Sequence, residues 1–216
     1  MNQNELSSIS THTLKRLPFY LSHLKELQSV GLVYISTAQI AKDLKMNEMQ
    51  VKKDITAVTK ESGKPRVGHK VENLVHDIEA FLGYDNTTAA VLVGAGHLGT
   101  ALAHYKGFED YGLKIELIVD NNPELIGTSI NNIPVISMEK FIPLCTRMHI
   151  NIGIITSTKD SAQEICDSLT KAGIKAIWNF VPVKLIVNED VIIQNENMAS
   201  SLAVLSSHLS NKLKGE

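Results

Sequence analysis

The chain has two cysteines, Cys145 and Cys166, and they are not spaced as CxxC. That excludes a paired-thiol motif and leaves two reduced, partly buried thiols of a cytoplasmic protein. Its eight histidines include no HExxH or paired-ligand spacing, so no metal is expected. No apolar run approaches a membrane span, and no membrane partner is expected. Met1 to Ser8 is polar and lacks the basic and apolar regions of a signal peptide.

What remains is ordinary globular material: 44% hydrophobic, 20% charged and a mean hydropathy of zero over 216 residues. That length suits one large domain or two small ones. The net charge of −2 conceals a division. Residues 1–70 carry 11 Lys and Arg against 6 Asp and Glu, a net +5, and the remainder carries −7. A basic head on an acidic body points to an anionic partner for the head, and so to nucleic acid.

The most informative stretch runs from Ala89 to Asp120. An apolar strand leads into Gly94-Ala95-Gly96-His97-Leu98-Gly99, a helix follows, and a second strand ends on Asp120, about 20 residues on, where the dinucleotide fingerprint wants its acid. Gly94 permits the tight turn, Gly96 admits a pyrophosphate, and Gly99 lets helix and strand approach. Helix amides from His97 onward face the phosphates. Asp120 accepts the ribose hydroxyls and repels a 2′-phosphate, and Asn121-Asn122-Pro123 offers no arginine for one, so NAD(H) is the expected cofactor. The alternative is a βαβ unit without a ligand. His97 either donates to a phosphate or is simply exposed.

Upstream, Thr11 to Ser29 carries Leu14, Leu17, Leu21, Leu24 and Leu27 on one helical stripe, with Pro18 predicted to start or kink the helix. Val30 to Ile35 reads as a turn and short strand. Ser36 and Gln39 form a capping box that opens a helix through Leu44, and Asn47 caps another to about Lys60. Two short helices across a three-residue turn are a helix-turn-helix. Val51, Ile55 and Val58 face inward, leaving Gln50, Lys52, Lys53, Thr56 and Lys60 for phosphates and base edges. Ser62 to Gly68 reads as a wing tip, with Lys64 and Arg66 able to reach the backbone or a minor groove. The plainer alternative is a small helical domain with solvated lysines.

Val71, Leu74, Val75, Ile78 and Leu82 mark a helix between two domains, with the boundary at Gly83-Tyr84-Asp85-Asn86. Strands and helices then alternate: a strand at Ile133–Ile136, a helix over Met138–Cys145, a strand over Ile150–Ile155, a helix over Asp160–Ala172 and a strand over Lys175–Trp178. The expected architecture is a parallel sheet with helices on both faces. Thr156, Ser157, Asn179 and Phe180 fall at carboxyl ends of strands, where such sheets bind ligands. From Asn197 to Leu213, Met198, Leu202, Leu205, Leu209 and Leu213 form one apolar stripe. It either packs on its own domain or exchanges into a symmetric dimer.

Taken together, the chain resembles the Rex family of bacterial NAD(H)-responsive transcriptional repressors. The resemblance rests on Arg16-Leu17-Pro18-Phe19-Tyr20, Gln50-Val51-Lys52-Lys53-Asp54, the glycine motif with Val93 before it, Tyr105-Lys106-Gly107-Phe108 and Asn179-Phe180-Val181-Pro182-Val183. It implies an α/β chain of three parts. These are a winged helix-turn-helix domain (1–82) with Arg16 and Tyr20 in its DNA-binding set, a Rossmann NAD(H)-binding domain (83–194), and a terminal helix (195–216) swapped across a homodimer. It further implies a cytoplasmic repressor, not an enzyme, that binds double-stranded operator DNA with NAD⁺ and releases it with NADH.

This chain departs from the family pattern at points that bear on sensing. Ser22 stands where the family usually has arginine, and Asn197 where it usually has aspartate. Those charges, with the tyrosine matching Tyr105, form the family's polar switch. Ala57 to Glu61 replaces an aromatic, glycine-rich helix end, and His69 replaces a wing tyrosine. Thr158 replaces a loop proline, and His97 stands where asparagine is frequent. An uncharged Asn197 is expected to disfavour the positive ring of NAD⁺ and so to favour NADH. The other readings are a Rex-like DNA binder with lost or altered redox response, a small NAD-dependent dehydrogenase, and a Rossmann regulator of another nucleotide or coenzyme A. Against the dehydrogenase, no Tyr-x-x-x-Lys or His–acid pair stands near the nicotinamide end.

Overall fold

Thr11–Ser29 forms one continuous helix, α1, with Pro18 inside it. The helix does not start at the proline. Leu17, Leu21 and Leu24 are buried on both sides of the proline, and that packing outweighs one missing backbone bond to the preceding turn. Ser10 caps α1 by accepting from the Thr13 amide. The computed structural model describes residues 9–84 and 88–214, so the polar start and the Asp85-Asn86 part of the expected boundary lie outside it. The chain divides into Met1–Asn86 and Thr87–Glu216.

In the first unit, β1 (Tyr34–Ile35) leads to α2 (Thr37–Asp43) and α3 (Glu48–Val58). Only half of the expected capping box forms. Ser36 accepts from the Gln39 amide, whereas the Gln39 side chain donates to Asp43 in the next turn. Asn47 caps α3 through the Gln50 amide, and Val51, Ile55 and Val58 are buried as the spacing predicts. Beyond α3, Lys64 and Gly68 exchange backbone hydrogen bonds around a tight turn in which Arg66 has φ 63°. β2 (His69–Lys70) then pairs antiparallel with β1, completing a wing. α4 (Val71–Leu82) packs into the same core, with Phe81 buried and Leu82 only partly so. Gly83, at φ 74°, ends the helix in the left-handed conformation that glycine adopts without strain.

The second unit is built on β3 (Thr88–Val93), α5 (His97–Ala103), a 3₁₀ turn over Lys106–Tyr111 and β4 (Leu113–Val119). β5 (Ser129–Ile130), β6 (Ile133–Ile136), α6 (Met138–Met148), β7 (Ile152–Ile155), α7 (Ala162–Lys171), β8 (Ala176–Asn179), β9 (Ile192–Asn195) and α8 (Met198–Lys214) follow. The sheet order is β5-β6-β4-β3-β7-β8-β9. All pairings are parallel except β5–β6, a small hairpin at one edge. Without β5, the order is the doubly wound 3-2-1-4-5-6 of dinucleotide-binding sheets. β5 and β9 were not apparent in the sequence, being too short or too polar to show a period. One face of the sheet packs against α6 and α7, the other against α5. Cys145 and Cys166 lie in the first of these cores, and burial pushes the Cys145 thiol up to about 11. No helix among the described residues is long and apolar enough to cross a membrane.

Candidate nucleic-acid interface and dinucleotide site

The helix-turn-helix is held by a buried carboxylate. Asp54, on α3 and only 3% exposed, accepts from Arg16 Nε at 2.8 Å and Nη2 at 2.9 Å. It also accepts from the Tyr20 hydroxyl at 2.8 Å and the Thr13 hydroxyl at 3.1 Å. Burial raises the Asp54 pKa, but the bonds from Arg16, Tyr20 and Thr13 outweigh it and hold the carboxyl below its ordinary value. Burial first, and then the adjacent carboxylate, pushes the Tyr20 hydroxyl up to about 12. The charge is buried but fully paired, the condition under which such a group can be tolerated.

This network changes the expected role of two residues. Tyr20 is 0% exposed and spends its hydroxyl on Asp54, so it sets α3 against α1 and does not reach DNA. Arg16 is partly exposed but engaged bidentately by Asp54, so it lines the face and braces α3. The other expected residues are on the surface. A groove of about 970 Å³ between α1 and α3 brings Arg16 together with Gln50, Lys52, Lys53 and Thr56. A second, of about 580 Å³, runs on the wing side of α3 and joins Lys52 and Thr56 to Lys60, Lys64 and Arg66. The sequence did not single out Asp54 as a brace, nor Met49, which is exposed in the first groove. A lone acid among inward positions of an amphipathic helix is the signal that marks Asp54.

The glycine motif lies at the switch point of the second sheet, between the carboxyl ends of β3 and β7. Gly94 has φ 105°, and a Cβ there would fall 2.9 Å from the Thr156 backbone. A Cβ on Gly99 would fall 1.9 Å from the Gly94 carbonyl oxygen, so α5 meets β3 too closely for any side chain. At Gly96 a Cβ would meet no protein atom within 4 Å. Its backbone therefore stands open to solvent at the start of α5, a cradle suited to a pyrophosphate. Leu98 is half-buried, and His97 is exposed on the first turn.

Asp120 directly follows β4 beside this turn. Its Oδ2 accepts from the Ala95 amide at 2.6 Å, and its Oδ1 from the Asn122 amide at 2.8 Å. Each carboxylate oxygen has a second acceptor site, so the acid that shapes the loop can still take a ribose diol. Asn121, Asn122 and Pro123 supply no positive charge. The residues present fit a dinucleotide without a 2′-phosphate.

Two expected ligand residues are committed elsewhere. Asn179 is 0% exposed: its amide nitrogen donates to the Val181 and Val183 carbonyls and to Asn195, and its oxygen accepts from the Val181 amide. It shapes the loop after β8 and has no free polar group for a cofactor. The Thr156 hydroxyl donates to the Gly94 carbonyl at 2.7 Å, clamping the glycine turn to β7. Ser157 and Phe180 are half-buried and remain available at the same ends of the strands. Tyr105 is exposed after α5, and Asn197 caps α8 by accepting from the Ala199 and Ser200 amides. Met198, Leu202, Leu205 and Leu209 are all exposed, because α8 buries none of its residues. No cluster of metal-ligating residues occurs among the described residues.

Comparison with known proteins agrees with both halves. Residues 8–56 match the family described as a putative DNA-binding protein N-terminus, and residues 85–183 the CoA binding domain. The redox-sensing transcriptional repressor Rex of Bacteroides fragilis is 37% identical, covering 97% of this chain and 94% of its own. That of Treponema denticola is 39% identical over 93% and 95%. RSP, a Rex-family repressor, has been solved in complex with β-NAD⁺ and operator DNA. That structure superposes with a TM-score of 0.86 at 36% identity, covering 96% of this chain and 98% of that one. Its complex with β-NADH superposes at 0.83, with 35% identity and coverage of 95% and 96%.

Proposed function

The chain belongs to the Rex family of redox-sensing transcriptional repressors, and we propose that it acts as one, binding operator DNA through α3 and the wing and leaving it when NADH occupies the Rossmann unit. The observation that carries this reading is the pairing, in one chain, of a basic helix-turn-helix surface with a glycine turn open at Gly96. Gln50, Lys52, Lys53 and Thr56 meet phosphates and base edges, with Lys60, Lys64 and Arg66 towards the wing. Gly94 to Gly99 and Asp120 hold the adenosine and pyrophosphate portions, with Ser157 and Phe180 at the nicotinamide end. When bound, NAD(H) supplies a ring whose charge differs between its redox forms and does no chemistry on a substrate.

The dimer belongs to the same proposal. α8 has an apolar stripe and no buried residue, as suits a helix that finds its core in a second copy of the chain. Two copies would carry two reading heads for two half-sites, and a cytoplasmic location goes with that role. The proposed parts are a DNA-binding head up to the Gly83 turn, a Rossmann body, and a swapped helix from Asn197.

A second reading, DNA binding without redox release, draws on Ser22 and Asn197, where the chain lacks the family's two charges. A mobility shift on duplex DNA selected by the protein from random sequence separates the two. Release by NADH and not by NAD⁺ is expected. Equal binding with either cofactor would leave a DNA binder that has lost its sensing, and failure to select any DNA would overturn the repressor reading.

A further inference from the structure

Phe, Tyr and Trp number only eleven in this chain, yet four of them form a connected row in the Rossmann unit. Tyr105 meets Phe108 edge-on at 4.8 Å between ring centroids, Phe108 meets Trp178 at 5.6 Å, and Trp178 leans on Phe180 at 4.9 Å. The row starts just after α5 and ends at the carboxyl end of β8, beside the cofactor crevice. Trp178 shares its sheet face with Ile154 and Gln194 in the strand register, opposite the face packed by α6 and α7.

This row has one charged anchor. The Trp178 indole N–H donates to Glu196 Oε1 at 3.0 Å. The indole can make no other such bond, and a carboxylate acceptor makes this one charge-assisted. Glu196 is fixed in turn, its backbone amide donating to the Asn179 carbonyl at 2.8 Å. The next residue is Asn197, the cap of α8. No residue of α8 is buried, so within this chain the helix is held at its root alone. Glu196 is therefore where the aromatic row, the edge strand β9 and the start of α8 meet.

We propose that Glu196 is a positioning residue that couples the cofactor crevice to the terminal helix, transmitting displacement of Phe180 through Trp178 to the first turn of α8. Coupling of this kind needs a contiguous packed path and an element with two arrangements. The row supplies the path, and α8, held within its own chain only at its root, carries a change of direction there to the second copy it packs against. The proposal rests on the redox-repressor reading and adds the residue that joins its two events. It also places a carboxylate beside the row, where the neutral Asn197 had suggested surroundings without charge.

The test uses the full-length protein and a duplex it has selected from random sequence. The ratio of DNA dissociation constants with and without saturating NADH measures the coupling. E196L removes the acceptor, E196Q keeps an acceptor oxygen without the charge, and W178F keeps ring packing without the donor. E196L should lower the ratio at least about fivefold while DNA affinity without cofactor stays within about twofold. E196Q should recover at least half of the lost coupling on a logarithmic scale. W178F should lose as much as E196L, and the double variant no more than either, because both cut one link.

An unchanged ratio in E196L or E196Q no better than E196L would overturn the proposal, as would losses that add in the double variant. Trp178, the only tryptophan, gives a readout without DNA: its indole N–H proton resonance should shift on titration with NADH, and no shift in the wild type would also overturn the coupling. If wild-type DNA binding ignores NADH, the redox reading and this inference fail together. If the wild type responds and E196L responds equally, only the role of Glu196 fails.

Discussion

On the proposed function, the two units present opposite parts of the chain to their ligands. The head, Met1–Asn86, offers side chains: lysines, a glutamine and a threonine on a helix whose position is set by one buried carboxylate, with an arginine beside it on α1. The Rossmann unit offers backbone at Gly94 to Gly99, and its polar side chains there mostly hold that backbone in shape. A surface of side chains can be trimmed one contact at a time. A surface of backbone fails abruptly, because nothing larger than hydrogen fits where the chain must approach.

Four experiments bear on that contrast. The largest effect is expected at Gly99, where alanine would place its Cβ 1.9 Å from a carbonyl oxygen. Unfolding of G99A in urea should show a loss of about 3 kcal/mol or more. G96A has no protein atom to meet, so it should keep wild-type stability and lose at least about tenfold in NADH affinity by calorimetry, by blocking the backbone approach. Equal loss of stability in both variants would break the distinction between packing glycine and ligand glycine.

Next in size is D54A, which strands the Arg16 cation and the Tyr20 hydroxyl. Breaking a buried pair costs about 3–5 kcal/mol, and the partial exposure of Arg16 brings the expectation to about 3. The same group sets an acid limit. The Asp54 pKa is depressed in the fold, so its stabilisation is present above the unfolded value of 3.8 and is lost as pH falls through the lower folded value. For Tyr20 the sign reverses: its raised pKa means stability lost as pH rises from 10 towards about 12. Y20F should abolish that alkaline loss while leaving the acid one, and an unchanged alkaline limb would remove Tyr20 from the network.

Smaller and graded effects are expected from K52A, K53A and R66A. Each should weaken DNA binding similarly across sequences and reduce the salt slope by about 1, whereas Q50A should relax the sequence preference. A steep all-or-none loss at any one lysine would make the head behave like the cofactor turn. The smallest effect is reserved for N197D, which adds an exposed charge. It should shift the NAD⁺ to NADH affinity ratio towards NAD⁺ by no more than about fivefold. Calorimetry on the wild type should find NADH the tighter ligand; tighter NAD⁺ would sink the expectation drawn from the neutral Asn197.

The glycine fingerprint, the helix-turn-helix spacing and the apolar stripe of α8 were legible along the chain because each is a local pattern with a fixed period or offset. Their limits were legible too: α1, α3 and β4 begin and end within a few residues of expectation. Less visible were interactions that close over long separations. Asp54 meets Arg16 and Tyr20 across 38 and 34 residues, and Asn179 meets Asn195 across 16. β9 and the hairpin strand β5 owe their existence to strands already in place beside them.

The sequence by itself therefore determined the two kinds of candidate surface, since a glycine turn before a helix and a basic helix face are written in consecutive residues. Only the tertiary structure decided which polar residues face a ligand and which brace the fold. Tyr20, Asn179 and Thr156 have the chemistry for either task. Their burial and their partners settle it, because a hydroxyl or amide surrounded by protein must satisfy its hydrogen bonds there before it can serve anything outside.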